Sequence, residues 1–196
     1  MYQQDYDEKL CPDRITYPNY RDGVWDHLIQ PYIKNSGVFK CPDWSDASVA
    51  APDWPCTYGM NYRLTQFDTT SLDDMPSLWF ATIGIASLRS PASTIYIADN
   101  VYVTNPSAQT LHGEDPTKWT MSFGSWNGSG YVRFPQDPPN SGYVSCCYNG
   151  DPWRPAPIHS GGTNVSFMDG HVKWYRTEQL VNPQRGSATC LYDNGP

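Results

Sequence analysis

Positive charge is scarce in this chain: 13 Lys and Arg stand against 20 Asp and Glu across 196 residues, a net charge of −7. Binding to a phosphate backbone rests on dense clusters of Lys and Arg, so the balance argues against nucleic acid as a partner. Long apolar runs are missing too. The longest uncharged apolar candidate, Ser77 to Leu88, falls short of the roughly 20 residues that a bilayer-crossing helix requires, and reads as buried strand or core. No cysteine pair has the Cys-x-x-Cys spacing of a zinc or redox motif. Gly-x-Ser-x-Gly, His-Glu-x-x-His and a phosphate-binding glycine loop are all absent. Only a carboxylate pair brought together by folding could still serve a glycosidase. No enzyme activity and no cofactor are expected.

What is present is aromatic, and rich in proline and glycine. Charged residues make up 17% against a typical figure of about 25%, while there are 18 Pro, 15 Gly, 8 Trp and 14 Tyr. Disordered chains are poor in aromatics, so this composition describes a β-rich, loop-heavy folded domain with a polar rather than ionic surface. Such a surface suits an extracellular protein or one with extensive subunit contacts. The six cysteines, an even count in an acidic chain, point to disulfides made outside the cytoplasm. Cys41 and Cys56 close the mirrored phrases Cys-Pro-Asp-Trp and Pro-Asp-Trp-Pro-Cys and are expected to pair. A loop of that length would constrain the unfolded chain by about 3 kcal/mol. Cys11, Cys146, Cys147 and Cys190 leave three pairings open. A vicinal 146–147 bridge is strained, so each of those two is expected to reach elsewhere, with Cys11 and Cys190 available.

Periodicity gives the order of elements. Tyr2, Tyr6 and Leu10 recur at i, i+4, i+8 and predict the last turns of a helix over 1–10, which Cys11-Pro12 ends. Trp25, Leu28, Ile29, Tyr32 and Ile33 predict a second helix over 25–35, kinked at Pro31 and stopped by Asn35-Ser36-Gly37. Val38 to Cys41 reads as a short extended piece, and 57–64 and 93–98 as strands. Residues 100–157 carry Gly, Ser, Asn and Pro throughout and read as a long irregular insertion. The alternating runs 164–168 and 171–175, joined by Asp169-Gly170, predict a type I′ hairpin with Val165, Phe167, Val172 and Trp174 all facing the core. Thr177 to Val181 reads as one helical turn, and 182–196 as an irregular tail. The whole chain is expected to form one domain.

The hairpin belongs to the phrase His159-Ser-Gly-Gly-Thr-Asn-Val-Ser-Phe-Met-Asp169-Gly170. A histidine, nine residues and then Asp-Gly resembles the C-terminal signature of the bacterial prepilin-like proteins with a prepilin-type processing-associated His-x9-Asp-Gly motif. Met1 to Leu10 resembles the exit of the pilin helix, and Leu28 to Asn35 with Val38-Phe-Lys-Cys-Pro resembles the next helix and strand. Tyr58-Gly-Met-Asn61 and Ser90 to Asp99 resemble the central strands. The resemblance implies an α+β fold: a pilin-like head with a short N-terminal helix remnant, a second helix, an antiparallel β-sheet and long irregular loops. Family members normally open with a basic leader, a Gly-Phe-Thr-Leu-Ile-Glu motif and about 20 apolar residues, none of which is in this sequence. Residue 1 falls where that helix would emerge. Packing through a shared helical bundle is therefore not expected, and heads should join through extended segments, with 100–157 and 182–196 reaching a neighbour.

Other polar residues have simple readings. Asp169 is explained by the turn, His171 by a solvent-facing strand start, and His159 by a structural role bonding loop backbone. No metal is expected; were there one, calcium would suit the loop carboxylates Asp43, Asp46, Asp53, Asp73 and Asp74, which lack EF-hand spacing. Asn127 and Asn164 begin Asn-x-Ser sequons, with Asn127 in the more accessible loop. Trp44, Trp54, Trp79, Trp119, Trp126 and Trp153 could form a glycan-binding face or pack between subunits. The expected function is a self-assembling structural subunit of an extracellular bacterial filament, a homopolymer joined by head-to-head or strand-exchange contacts. The alternative is a minor pseudopilin or a surface adhesin that binds glycans.

Overall fold

A computed structural model describes residues 2–6, 8–11, 25–44, 56–61, 64, 84–103, 115–122, 131–132, 153–181 and 191. Its centre is a mixed, mainly antiparallel sheet. The strands are β1 (Tyr58–Asn61), β2 (Ile95–Val103), β3 (Met121–Ser122), β4 (Tyr131–Val132), β5 (Trp153–Pro155), β6 (Gly162–Phe167) and β7 (Val172–Arg176). They run in the order β4-β1-β2-β6-β7, with β3 and β5 also paired to β2. The helices are α1 (Tyr2–Asp5), α2 (Trp25–Leu28), α3 (Gln30–Ile33) and α4 (Thr177–Val181). The fold is α+β.

Strand β2 organises the sheet because it has two sets of neighbours. Its first half pairs antiparallel with β1 (Tyr58↔Asp99) and with β6 (Ala98↔Val165). Its second half pairs with β5 (Val101↔Arg154) and β3 (Val103↔Met121). Val101 and Val103 extend the apolar alternation of Ile95 and carry the strand beyond its expected end at residue 98. The 100–157 region is thus not wholly irregular: its described parts add β3, β4 and β5 to the chain's own sheet. The tail behaves similarly at Leu191, whose carbonyl accepts the Ile95 N–H at 2.6 Å and whose side chain packs on the Ile95–Val165–Phe167–Leu180 core.

The helical expectations are met in part. The 25–35 stripe forms two short helices, α2 and α3, because Pro31 has no N–H to continue the ladder. Lys34, left-handed at φ 58°, caps α3 in place of the Asn-Ser-Gly stop. Residues Ser36–Phe39 then form a 3₁₀ turn, with the Asn35 side chain accepting the Gly37 N–H, and only Lys40 is extended before Cys41. Near the start, α1 covers Tyr2–Asp5 alone. Glu8 is left-handed, Lys9 bridges Gly84, and Leu10 is buried while Tyr6 is exposed, so Tyr6 and Leu10 do not share one helical face.

The hairpin forms where expected, but one residue out of register. The Phe167 carbonyl accepts the Gly170 N–H and the Phe167 N–H reaches the His171 carbonyl, so the loop has three residues, Met168 to Gly170. Gly170 alone is left-handed, at φ 91°, the arrangement of a three-residue loop with glycine at its last position. Pairing is therefore Val165↔Lys173 and Asn164↔Trp174. A one-residue slip moves a strand's side chains to the opposite face. Val165 and Phe167 are buried as expected, but Val172 is 67% and Trp174 45% exposed. Phe167 instead stacks on His171, with ring centroids 4.1 Å apart, and meets Tyr175.

Trp174 nevertheless has a fixed place. Its indole N–H donates to the His159 carbonyl at 3.0 Å, and the ring lies against Gly162 so closely that a Cβ there would fall 2.2 Å from it. Gly162→Ala is expected to displace the indole and destabilise the chain by about 1–3 kcal/mol. Thermal melting would report the loss, with a red-shifted Trp emission marking the ring's release. A second test concerns Asp26, which is buried at 2% exposure beside Cys56. Burial raises its carboxyl pKa, against the smaller opposing effects of His27. The folded state thus holds this proton more tightly than the unfolded chain. The resulting stabilisation is complete below the unfolded value of 3.8 and is lost as pH rises through the raised folded value. Asp26→Asn keeps an acceptor for the His27 N–H and should raise stability at neutral pH relative to acid, measured by urea unfolding across pH.

Candidate metal centre

Four side chains converge where β2 exchanges one set of neighbours for the other. Asp99 lies in β2 opposite Tyr58, and its backbone carbonyl accepts the Ala156 N–H at 2.8 Å. Its Oδ2 accepts the Asn164 N–H of β6 at 2.7 Å, a side-chain acceptor standing in for a strand carbonyl. Cys41 follows the 3₁₀ turn. Its N–H donates to Thr57 Oγ1 at 2.7 Å, and the Thr57 N–H donates to the Phe39 carbonyl at 2.8 Å, which lays residues 39–41 beside β1.

His159 is aimed by a turn. His159 and Gly162 exchange both backbone hydrogen bonds around Ser160 (φ 54°) and Gly161 (φ 78°). Two consecutive positive φ values are the mark of a type I′ turn. The turn type expected at Asp169-Gly170 is found here, directly after the histidine.

His159 is the hub. Its Nε2 lies 3.5 Å from Cys41 Sγ and 3.2 Å from Asp99 Oδ2, while its Nδ1 lies 3.0 Å from Asp43 Oδ2. The side chains of Asp99 and His159 are 1% and 16% exposed; that of Asp43 is 64% exposed. Asp99 Oδ1 is buried with no hydrogen-bond partner. Burial, and only secondarily the Asp43 charge, raises the Asp99 pKa, opposed by the Asn164 N–H and by His159. Burial also pushes the Cys41 thiol up, and the charges of Asp99 and Asp43 add to it. A raised thiol pKa favours the protonated thiol over the thiolate. Sulfur, imidazole nitrogen and carboxylate oxygen within 4.8 Å of one another are donor types that transition metals take.

Cys41 and His159 also line an open, mostly apolar cleft of about 530 Å³, lined further by Trp25, Ile29, Phe39, Ile97 and Val165. Its rim includes Ile33, Val38 and Val172, which are 36%, 48% and 67% exposed.

The structure redistributes the residues singled out in the sequence. Cys41 and Cys56 are free thiols, not a disulfide, as is Cys11. The reason lies in how they pack: Cys41 turns toward His159 and the Trp44–Val101–Trp119 cluster, whereas Cys56 packs with Cys11, Trp25, Phe39 and Met60. Cys146, Cys147, Cys190 and Asn127 lie outside the described residues. The His159 side chain meets other side chains rather than loop backbone. Asp169 and Gly170 stay in the hairpin loop, where Asp169 Oδ1 accepts from the His171 N–H and lies 2.6 Å from His171 Nδ1. Asn164 contributes its backbone N–H from mid-strand, half-buried, a poor position for a glycan. Of the loop carboxylates only Asp43 joins the site; Asp46, Asp53, Asp73 and Asp74 lie outside the described residues, and a thiol in the donor set disfavours calcium. Trp44 and Trp119 are buried core, which removes two rings from the expected glycan face. Asp99 was not singled out at all, since a lone Asp closing an apolar strand carries no sign of its partners.

Peptide mapping without reduction should recover Cys41 and Cys56 as separately alkylated peptides with no 41–56 linkage; a linked pair would contradict the packing described above. No protein-family model matches this chain, and neither a curated protein nor a solved structure does.

Proposed function

We propose that this chain is a structural subunit of an extracellular bacterial filament, a pilin-like head that polymerises with copies of itself. The observation that carries the reading is the exposed apolar surface joining strand β7 to the cleft. Among the described strands β7 ends the order, so one side of its backbone has no partner strand among the described residues. Native edge strands usually carry charge or proline that discourages pairing. This one carries Lys173 and Arg176 but also displays Val172 and Trp174, and Ile33 and Val38, exposed as well, line the same cleft as Val172. A contiguous apolar surface of this kind marks an interaction site. Addition of a neighbour's strand to the β7 edge would satisfy its main chain, while the cleft takes an apolar side chain from the same neighbour. A contact of this type that does not close on itself propagates as a fibre.

The α+β head, with its short helices beside an antiparallel sheet, and the His159-x9-Asp169-Gly170 phrase support the pilin-like reading. Assembly through β7 replaces the expectation that the 182–196 tail makes the contact, since Leu191 is tied to its own sheet. Val172→Asp combined with Val38→Asp should weaken self-association at least tenfold, about 1.4 kcal/mol, with an unchanged circular dichroism spectrum. Light scattering and negative-stain microscopy over a concentration series would show this. A wild-type chain that stays monomeric at every concentration, or a double variant that assembles as readily, would contradict the reading.

A further inference from the structure

We propose that Cys41 Sγ, His159 Nε2 and the Asp99 carboxylate bind one divalent zinc-class metal ion, with Asp43 orienting the histidine. The proposal is independent of how the chain assembles. Zinc bond lengths of about 2.3 Å to sulfur and about 2.0–2.2 Å to nitrogen and oxygen, set at tetrahedral angles, place ligand atoms about 3.3–3.6 Å apart. The observed separations from His159 Nε2 are 3.5 Å to Cys41 Sγ and 3.2 Å to Asp99 Oδ2. The third edge, from sulfur to carboxylate, is within 4.8 Å.

Two further features belong to metal sites rather than to chance clusters. A ligating histidine normally gives its second ring N–H to a carboxylate or carbonyl, which fixes the tautomer; His159 Nδ1 lies 3.0 Å from Asp43 Oδ2. With the proton on Nδ1, the Nε2 lone pair faces both Asp99 and Cys41, and a cation between the three is the group that all of them can bind. Asp99 supplies the independent sign. Its side chain is 1% exposed, its Oδ2 is held by the Asn164 N–H, and its Oδ1 has no partner, leaving a buried carboxylate under-compensated. Such a group costs stability unless a charge or donor meets it.

The charges balance. Ion binding releases the Cys41 thiol proton to solvent. The resulting thiolate and the Asp99 carboxylate neutralise a divalent ion, leaving His159 neutral and Asp43 outside. Thiolate and imidazole select a zinc-class ion over calcium or magnesium, which take oxygen ligands. Three protein ligands leave the fourth position to water, and Cys41 and His159 face the cleft, from which that water would come.

The test uses the full chain, stripped with chelator under reducing conditions and titrated with Zn²⁺ and, as a spectroscopic probe, Co²⁺. Zinc should bind at one per chain at this centre, raise the melting temperature, and protect Cys41 from alkylation while leaving labelling of the other cysteines unchanged. Cobalt should give the sulfur-to-metal charge-transfer band and the intense visible absorption of a tetrahedral centre. Cys41→Ser should abolish the charge-transfer band, and His159→Gln should abolish binding. Asp43→Asn should keep the band but weaken affinity about 10–100-fold. Failure of zinc to protect Cys41 in the unaltered chain would overturn the proposal whether or not the variants fold. So would a cobalt band that persists in Cys41→Ser, or binding by oxygen ligands alone.

Discussion

Burial of the Asp99 carboxylate is the constraint on which the other features depend. The residue sits in β2 at the point where pairing passes from β1 and β6 to β5, and three elements bond to it there. Its backbone carbonyl takes the Ala156 N–H, its Oδ2 takes the Asn164 N–H, and His159 Nε2 stands 3.2 Å away. A carboxylate can hold strands together in this way only if its charge is met, because desolvation raises its pKa and favours the neutral form. His159, held by a type I′ turn and by the Trp174 indole against its carbonyl, is the ring positioned beside it. The hairpin, the turn and the cysteine loop thus converge on one buried acid.

The same hairpin connects this interior to the outer surface. Because the Met168–Gly170 loop has three residues, β7 shows Lys173 and Tyr175 to the side of Val165 and Phe167, and turns Val172 and Trp174 to the other. One face of Trp174 covers Gly162 and its N–H secures His159, while nearly half of the residue remains open. Interior site and exposed edge therefore share a residue. A neighbouring chain docked on β7 would bury Trp174, the residue whose indole secures the His159 turn.

Local signals in the sequence survive into the structure where the chemistry is local. Thr177 to Val181 forms its helical turn, Pro31 divides the 25–35 stripe, and strands flank Asp169-Gly170. The register of that hairpin was not legible, because Asp-Gly serves a two-residue turn and a three-residue loop alike and Met168 can sit in either a strand or a loop. The second half of β2 was obscured for a different reason: Asp99 interrupts the apolar alternation of Ile95, Ile97, Val101 and Val103, and the pairing with β5 that buries Val101 comes from more than fifty positions further along the chain. Cys41 and His159 were each conspicuous, yet they stand 118 positions apart, and no spacing rule links them. The mirrored Cys-Pro-Asp-Trp phrases invited a disulfide, but neighbouring strands place the two thiols in different clusters.

A buried thiol, a buried carboxylate and a partly buried imidazole, with the imidazole at tetrahedral separation from both and backed by a second carboxylate, form a site whose charge a divalent ion completes. X-ray absorption at the zinc edge of the loaded full chain tests this most directly, since it counts the atoms around the ion by element and distance. The account predicts one sulfur at about 2.3 Å with nitrogen and oxygen neighbours at about 2.0–2.2 Å. A shell without sulfur, or one with several sulfurs drawn from other cysteines, would contradict it.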